Sequence, residues 1–424
     1  MEEKTYYLNS DFIFRGDLGF NPEFIAYNIL SGKSYELGKD FFKAVLLFCK
    51  LNNYREIKKK LGIKNIEKLK KLNFVSLKKS QNKVFLYPET NFKVPVCYYP
   101  REIELHLTSY CNLRCKHCVY DVSTKKKEFL SFDILFKFLD ELEEIGIFRL
   151  IISGGEPFLH RDIKQIIKKI ATKRYRVEFL TNAVLINNEI AQILSRAKNI
   201  SITYSLDGHN PNTCDFLRGK GVFNKVLNAV DLMNKFEIKH NLCCVLNKRN
   251  FNYIDKIIEL GYKLKSLSVN FLFLDLMGRG ERLEKEALDN LEIKNVLKYL
   301  KNIKSKIPVN FINQLDIGKG KYSNFISCAA GTFRLAVNSN GEVYPCAYAF
   351  NNKDFMIGNI SNSSIKNLWH LKKWELFRGG IKINDLKECL SCGLIKRCML
   401  KNCRLRAFSK YRNIYAKYPG CKIL

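Results

Sequence analysis

No stretch of the chain approaches the ~20 consecutive apolar residues that cross a bilayer. The opening segment, MEEKTYYLNSDFIF, lacks the basic flank and apolar core of an export signal. The sequence therefore predicts a cytoplasmic protein with no membrane partner. Internal repeats and low-complexity tracts are also missing, and 46% hydrophobic content over 424 residues is ample for packed domains, which excludes a disordered chain. Acidic residues are scarce: 41 Asp and Glu stand against 72 Lys and Arg, a formal net charge of +31. Such a balance suits an anionic partner. Yet the lysines form no single tract. They are spread over KKLGIKNIEKLKKL, IKQIIKKIATKR and LKYLKNIKSKI as solvated helix faces, and no nucleic-acid-binding motif gathers them, so nucleic acid is disfavoured as a partner.

What the chain does have is cysteine. Fifteen is an odd number, and without an export signal it argues for reduced, metal-bound thiols over a disulfide framework. Ten fall into two groups: Cys111-x3-Cys115-x2-Cys118, and a C-terminal set of Cys328, Cys346, Cys389, Cys392, Cys398, Cys403 and Cys421. The others, Cys49, Cys97, Cys214, Cys243 and Cys244, lie outside any ligand spacing and are expected to be buried structural thiols. Thiolates are soft donors for iron, and three within eight residues can wrap a cubane from one side. The fourth iron then stays open to the amino and carboxylate groups of S-adenosylmethionine (SAM), whose sulfonium can take one electron and break to a deoxyadenosyl radical that abstracts hydrogen. The alternatives are a zinc site or unconnected core thiols, but zinc modules favour two x2 pairs.

Along the chain, residues 1–80 open with strand-like segments (YYLNSDFIF, FIAYNILSGKSYEL), followed by the helical patterns DFFKAVLLFCKLN and YREIKKKLG, which together predict a winged-helix-like module. A polar linker, 81–99, follows. Over 100–285 six strands (REIELHLT, FRLIIS, VEFLTN, ISITYSLD, HNLCCVLN, SVNFLFLD) alternate with helices, predicting an α/β fold with a partial (β/α)6 TIM-type barrel. In such sheets chemistry gathers at the carboxyl ends of strands, and the first cysteine group follows the first strand directly. A helical linker, 286–320, leads to a cysteine-rich iron–sulfur domain at 321–424, which has few apolar runs and is expected to be organised by bound metal.

CNLRCKHC resembles the CxxxCxxC signature of radical SAM enzymes, with His117 at the aromatic position before the third cysteine. The resemblance implies that Cys111, Cys115 and Cys118 hold the SAM-binding [4Fe-4S] cluster and that the His117 ring stacks on adenine. Ser153-Gly154-Gly155-Glu156-Pro157, one βα unit later, resembles the family's GGEP motif. Its glycines allow close backbone approach, and Glu156 could accept from the SAM ammonium. SLDGHNPNTCDFLRG resembles a further family stretch, implying that Ser205 and Arg218 contact the ribose and carboxylate of SAM. Asp207-Gly208 reads equally well as a plain turn; Thr181-Asn182 and Gly278-Arg279 are lesser candidates.

The C-terminal set resembles the seven-cysteine SPASM extension of radical SAM peptide-modifying enzymes, with x4 before Cys403 where that family more often has x3. By resemblance Cys328, Cys346 and Cys403 hold a first auxiliary [4Fe-4S] cluster, with one iron left open or filled by a non-cysteine ligand, and Cys389, Cys392, Cys398 and Cys421 hold a second. Structural zinc is the competing reading of Cys389-x2-Cys392 alone.

Residues 20–80 resemble the leader-peptide recognition domain of peptide-maturing enzymes, related to the small chaperone of pyrroloquinoline-quinone synthesis, through YNILSGKSYEL, the helix opening at Asp40 and Tyr54-Arg55-Glu56-Ile57. Such a domain binds an extended leader by strand addition, and a lysine-rich face beside it would favour an acidic leader. Taken together, the resemblances imply a radical SAM maturase of a ribosomally made precursor peptide, sactisynthase-like, forming a thioether or carbon–carbon crosslink and fed by an electron donor such as flavodoxin or ferredoxin. The alternatives are a protein side-chain oxidase of the anaerobic sulfatase-maturating type and, resting on charge alone, a metal-stabilised nucleic-acid-binding protein.

Overall fold

The computed structural model describes residues 5–18, 22–51, 54–80, 82–90, 94–120, 128–311, 325–393, 395, 398, 403–419 and 421. The N-terminal unit contains β1 (Tyr7–Leu8), β2 (Phe12–Asp17), β3 (Glu23–Asn28), β4 (Ser34–Glu36), α1 (Lys39–Lys50), α2 (Tyr54–Leu61), α3 (Ile63–Lys71), β5 (Val75–Ser76) and β6 (Val84–Tyr87). Its main sheet has the order β4-β3-β2-β6, and Phe12, Phe14, Phe42, Val45, Ile66, Leu69 and Phe74 form its core. The sequence suggested two helices; a third, α3, is present. The stretch read as a polar linker contributes β6, a four-residue strand parallel to β2. A strand so short carries no periodicity of its own, and its partner across the sheet decides it.

The central sheet begins with β7 (Glu102–His106) and continues through α4 (Phe132–Glu144), β8 (Arg149–Ser153), α5 (Ile163–Ala171), β9 (Arg176–Thr181), α6 (Asn188–Ser195), β10 (Ile200–Ser205), α7 (Pro211–Arg218), α8 (Val222–Lys235), β11 (His240–Leu246), α9 (Ile254–Lys263) and β12 (Val269–Phe273). All six strands read from the sequence are there, side by side and parallel. Helices form where apolar residues recur at i, i+3, i+4 and i+7: Leu135, Phe138, Leu139 and Leu142 on α4, Ile163, Ile166, Ile167 and Ile170 on α5. Each such side chain contributes about 1.5–3 kcal/mol on full burial, far more than intrinsic helix propensity.

The expected helical linker holds α10 (Asn290–Asn302), closed at its start by a capping box of Asp289 and Glu292. It also holds β13 (Val309–Phe311), which extends the sheet beyond β12; residues 312–320 of that linker lie outside the described residues. Then come β14 (Phe325–Ser327), β15 (Arg334–Val337), β16 (Glu342–Tyr344), β17 (Gly358–Asn359), α11 (Ile365–Trp369), β18 (Arg378–Lys382) and α12 (Arg404–Tyr411). β15 lies parallel to β7, so the sheet runs β13-β12-β11-β10-β9-β8-β7-β15-β16-β17 and stays open.

The C-terminal domain departs from the sequence reading. It has an apolar core of its own, including Ile326, Tyr344, Phe355, Phe377, Ile381, Leu386 and Leu405. Those residues come singly from short segments, so no apolar run announces them. Cys49 also departs: it is exposed on α1, whereas Cys214 and Cys244 are buried as expected. All fifteen cysteines are free, and among the described residues no helix is long and apolar enough to cross a membrane.

Two contacts fix the outer units to the barrel. Arg15, fully buried on β2, pairs with Asp17 at 2.9 Å and donates to the carbonyls of Tyr99, Pro100 and Gly146, while Arg101 reaches Asp17 at 2.7 Å. Burial pushes the Asp17 carboxyl up, but Arg15 and Arg101 outweigh it and hold the group at about 2. These contacts lie at the amino ends of β7 and β8. In the second contact, Glu141 of α4 accepts from the backbone N–H groups of Ile365 and Lys366 and so caps α11.

Candidate active site

The first cysteine group lies in the loop leaving the carboxyl end of β7, with Cys111 buried and Cys115 and Cys118 half-buried. Neighbouring loops hold its backbone. The Lys116 N–H donates to the Leu217 carbonyl at 2.8 Å, the Arg279 N–H to the Cys118 carbonyl at 3.0 Å, and Arg279 Nε to the Cys115 carbonyl at 2.8 Å. The Gly-Gly pair is pressed against the same loop: Gly155 N–H donates to Thr108 at 2.7 Å and Glu156 N–H to Tyr110 at 2.8 Å. A Cβ on Gly155 would stand 2.0 Å from the Tyr110 carbonyl oxygen, and Gly154 has φ +130° with its own Cβ position 2.5 Å from the Thr108 oxygen. Glycine is required at both positions because a strand end and a ligand loop share the space.

Glu156 is 1% exposed, and its oxygens accept from the Thr181 hydroxyl (2.7 Å), the Asn182 N–H (2.8 Å) and the Phe158 N–H (3.2 Å). Burial pushes its carboxyl up to about 7 despite those donors. Three bonds leave one of roughly four lone-pair positions open for a further donor. Asn182 also donates to Asn112 at 2.8 Å, beside Cys111, so the lesser candidate Thr181-Asn182 ties Glu156 to the cysteine loop.

Asp207, which the sequence left as a possible turn residue, is fully buried and organises the other wall. Its carboxylate pairs with Arg218 at 2.7 Å, stands 3.4 Å from His117 Nε2 and accepts from the Val245 N–H at 2.8 Å. Burial lowers the His117 pKa to about 4 in spite of Asp207, so the ring is neutral at pH 7. Ser205, half-buried at the end of β10, is the remaining predicted contact; Pro157 is buried and opens the short 3-10 turn after Glu156.

In the C-terminal domain Cys328, Cys346 and Cys403 line one cavity together with Ala330, Phe377 and Arg404. Cys389, Cys398 and Cys421 lie within electrostatic range of one another, and the Cys392 N–H donates to the Cys389 carbonyl at 3.1 Å. Cys328, Cys346 and Cys403 thus share one cavity, and Cys398 and Cys421 lie near Cys389.

Between the cysteine groups lie residues that spacing could not reveal. Asp275, just past β12, accepts from Arg406 of α12 at 2.5 Å and from the Tyr348 hydroxyl at 2.7 Å, and Arg406 also reaches Tyr418. Glu104 on β7 accepts from Tyr120 at 3.2 Å and contacts His106 Nε2 at 2.9 Å. Deeper in the sheet, Arg334, Glu102, Arg149, Glu178, Thr203 and Asn241 form a polar chain across the strands. Only strand alternation hinted at this face, as in β9, where buried residues alternate with half-buried ones.

Sulfur is the donor atom that recurs in each of these groups. Burial pushes Cys111 up to about 12 and Cys403 to about 11, which leaves bare thiols inert, whereas a bound iron–sulfur core would keep them ionised. The donor sets fit [4Fe-4S] clusters.

A parallel barrel with a three-cysteine loop at its carboxyl edge and a cysteine-rich domain beside it defines an iron–sulfur enzyme that cleaves SAM. Residues 105–261 match the radical SAM superfamily and residues 328–393 the iron–sulfur cluster-binding domain SPASM. The chain is a radical SAM enzyme with a SPASM domain, and its cofactors are SAM and [4Fe-4S] clusters. It is 28% identical over 346 residues to the AdoMet-dependent heme synthase of Methanosarcina barkeri, covering 76% of this chain and 96% of that protein. It is 27% identical over 317 residues to the mycofactocin maturase MftC of Mycolicibacterium smegmatis, covering 73% and 78%. The fold matches Streptococcus suis SuiB bound to its precursor peptide SuiA with a TM-score of 0.74 at 17% identity, covering 99% of both chains.

Proposed function

We propose that the protein modifies a ribosomally made precursor peptide, forming a thioether or carbon–carbon crosslink. The observation that carries this is the N-terminal module, docked on the barrel through the buried Arg15–Asp17–Arg101 network and presenting an open sheet edge. The Asn28 N–H bonds to Lys33 O and the Leu37 N–H to Phe24 O, so by antiparallel alternation the N–H and C=O groups of Ser34 and Glu36 point away from β3. A leader peptide adds there as a further strand. Lys64 and Lys68, exposed on α3 with Lys68 over the Phe41 ring, favour an acidic leader. The mycofactocin maturase relative and the whole-length likeness to a peptide-bound fold support the same reading.

Cys111, Cys115 and Cys118 are proposed to hold the SAM-binding cluster, which supplies one electron to the sulfonium and thereby the radical that takes hydrogen from the peptide. Glu156 would receive the SAM ammonium at its open acceptor position, Arg218, held by Asp207, would meet the carboxylate, and Ser205 and His117 would contact the nucleoside. Cys328, Cys346 and Cys403 hold one auxiliary cluster and Cys389, Cys392, Cys398 and Cys421 the other. Crosslinking removes two hydrogens: one would leave to deoxyadenosine, and the other as a proton and an electron, for which a bound auxiliary cluster would supply the acceptor.

Coexpression with a short candidate peptide tests this by mass spectrometry. The expected result is a loss of two hydrogens per link, with no carbonyl reactive toward a hydrazide. An aldehyde product would favour side-chain oxidation of the sulfatase-maturating type, and an unmodified peptide with a turned-over porphyrin precursor would favour chemistry like that of the heme synthase relative.

A further inference from the structure

Arg404 is the first residue of α12, directly after Cys403, and is 2% exposed. Its Nη1 holds the C-terminal segment, donating to the Ala416 carbonyl at 2.7 Å and the Ile414 carbonyl at 3.3 Å. Among the described residues its Nε and Nη2 donate to nothing, although both are buried. A guanidinium has five donors and no way to shed its charge in an ordinary setting, so two orphaned nitrogens, with three N–H groups between them, are costly in the interior unless a partner is missing. The side chain lines the cavity walled by Cys328, Cys346 and Cys403. It also lies within electrostatic range of Cys389 and Cys398, members of the other set.

We infer that Arg404 is a positioning residue shared by the two auxiliary clusters: its free N–H groups donate to cluster or ligand sulfur, and its charge lies between them. This rests on the cluster assignment proposed above. Hydrogen bonds and positive charge beside a cluster stabilise its more negative, reduced state and raise its potential. Arg404 therefore makes the auxiliary clusters better electron acceptors, the property needed to take the electron released when a substrate crosslink closes.

The test uses the full chain, reconstituted anaerobically, in a Cys111, Cys115 and Cys118→Ala background where only auxiliary clusters contribute to the spectra. In an EPR-monitored redox titration, Arg404→Gln should lower the ratio of reduced to oxidised cluster about tenfold at fixed potential, which is 59 mV for a one-electron couple. Arg404→Lys, which restores the charge, should recover most of that ratio. An unchanged ratio in R404Q with full iron content overturns the inference. Because Arg404 also anchors residues 414 and 416, R404Q could lose iron outright. In that event protein labelled with guanidinium nitrogen-15 arginine decides: coupling to a reduced auxiliary cluster that is present with Arg404 and lost in Arg404→Lys supports the inference, and coupling that is absent or unchanged in R404K overturns it. Fewer than three clusters in the wild type would defeat the cluster assignment itself, and this inference with it.

Discussion

Arg406 of α12 donates from Nη2 to the carboxylate of Asp275, 2.5 Å away, and so joins the cysteine-rich domain to the carboxyl end of the sixth barrel strand. The pair is mostly buried, with Tyr348 donating to the same carboxylate. Removing one partner from such a pair leaves an uncompensated charge, at a cost of about 3–5 kcal/mol. Asp275→Ala and Arg406→Ala are each expected to lower the thermal midpoint of the holoenzyme, and the double variant to cost little more than either alone. Peptide modification falls in all three while peptide-independent SAM cleavage persists; calorimetry and deoxyadenosine assays check both parts.

Gly155→Ala is expected to disrupt the three-cysteine loop alone, because its new methyl would meet the Tyr110 carbonyl at 2.0 Å. Iron analysis should show about four of twelve irons lost, the content of one cubane among three. Full iron content with normal SAM cleavage would contradict the close packing of these two loops.

The docking of the N-terminal module has a pH signature. Asp17 is held at about 2 against an ordinary 3.8, so its stabilising contribution is present above pH 3.8 and is lost as pH falls through 2. The shift corresponds to about 2 kcal/mol. Asp17→Asn should therefore be less stable than wild type at pH 7, with the gap closing toward pH 2, as followed by urea unfolding. A gap that stayed constant would deny the ion pairs their role.

Glu36→Pro removes an outward N–H from β4 without touching its bonds to β3. Leader affinity should fall at least tenfold with the fold and SAM cleavage intact. Lys64→Glu combined with Lys68→Glu should weaken binding of an acidic leader and flatten its salt dependence. Fluorescence anisotropy with a labelled peptide measures both.

The six barrel strands and both cysteine groups were legible in the sequence because alternation and ligand spacing are local signals. β6, β13 and β15 were not, since each is a strand of three or four residues that exists by pairing with a distant neighbour. The same limit applied at the site. Glu156 and Arg218 could be named from motifs, but Asp207 read as a turn residue because its partners, Arg218 at the end of α7 and His117 in the cysteine loop, meet it only in the fold. Glu104, Asp275 and Arg406 carried no motif at all, and only the fold brings them between the cysteine groups.

The most direct measurement is deoxyadenosine release. Anaerobically reconstituted protein given SAM and dithionite should carry about twelve irons per chain and release deoxyadenosine, and replacing Cys115 by Ala should abolish the release while leaving about eight irons. Protein that carries its iron yet releases no deoxyadenosine, or a Cys115→Ala variant that still releases it, would contradict the account.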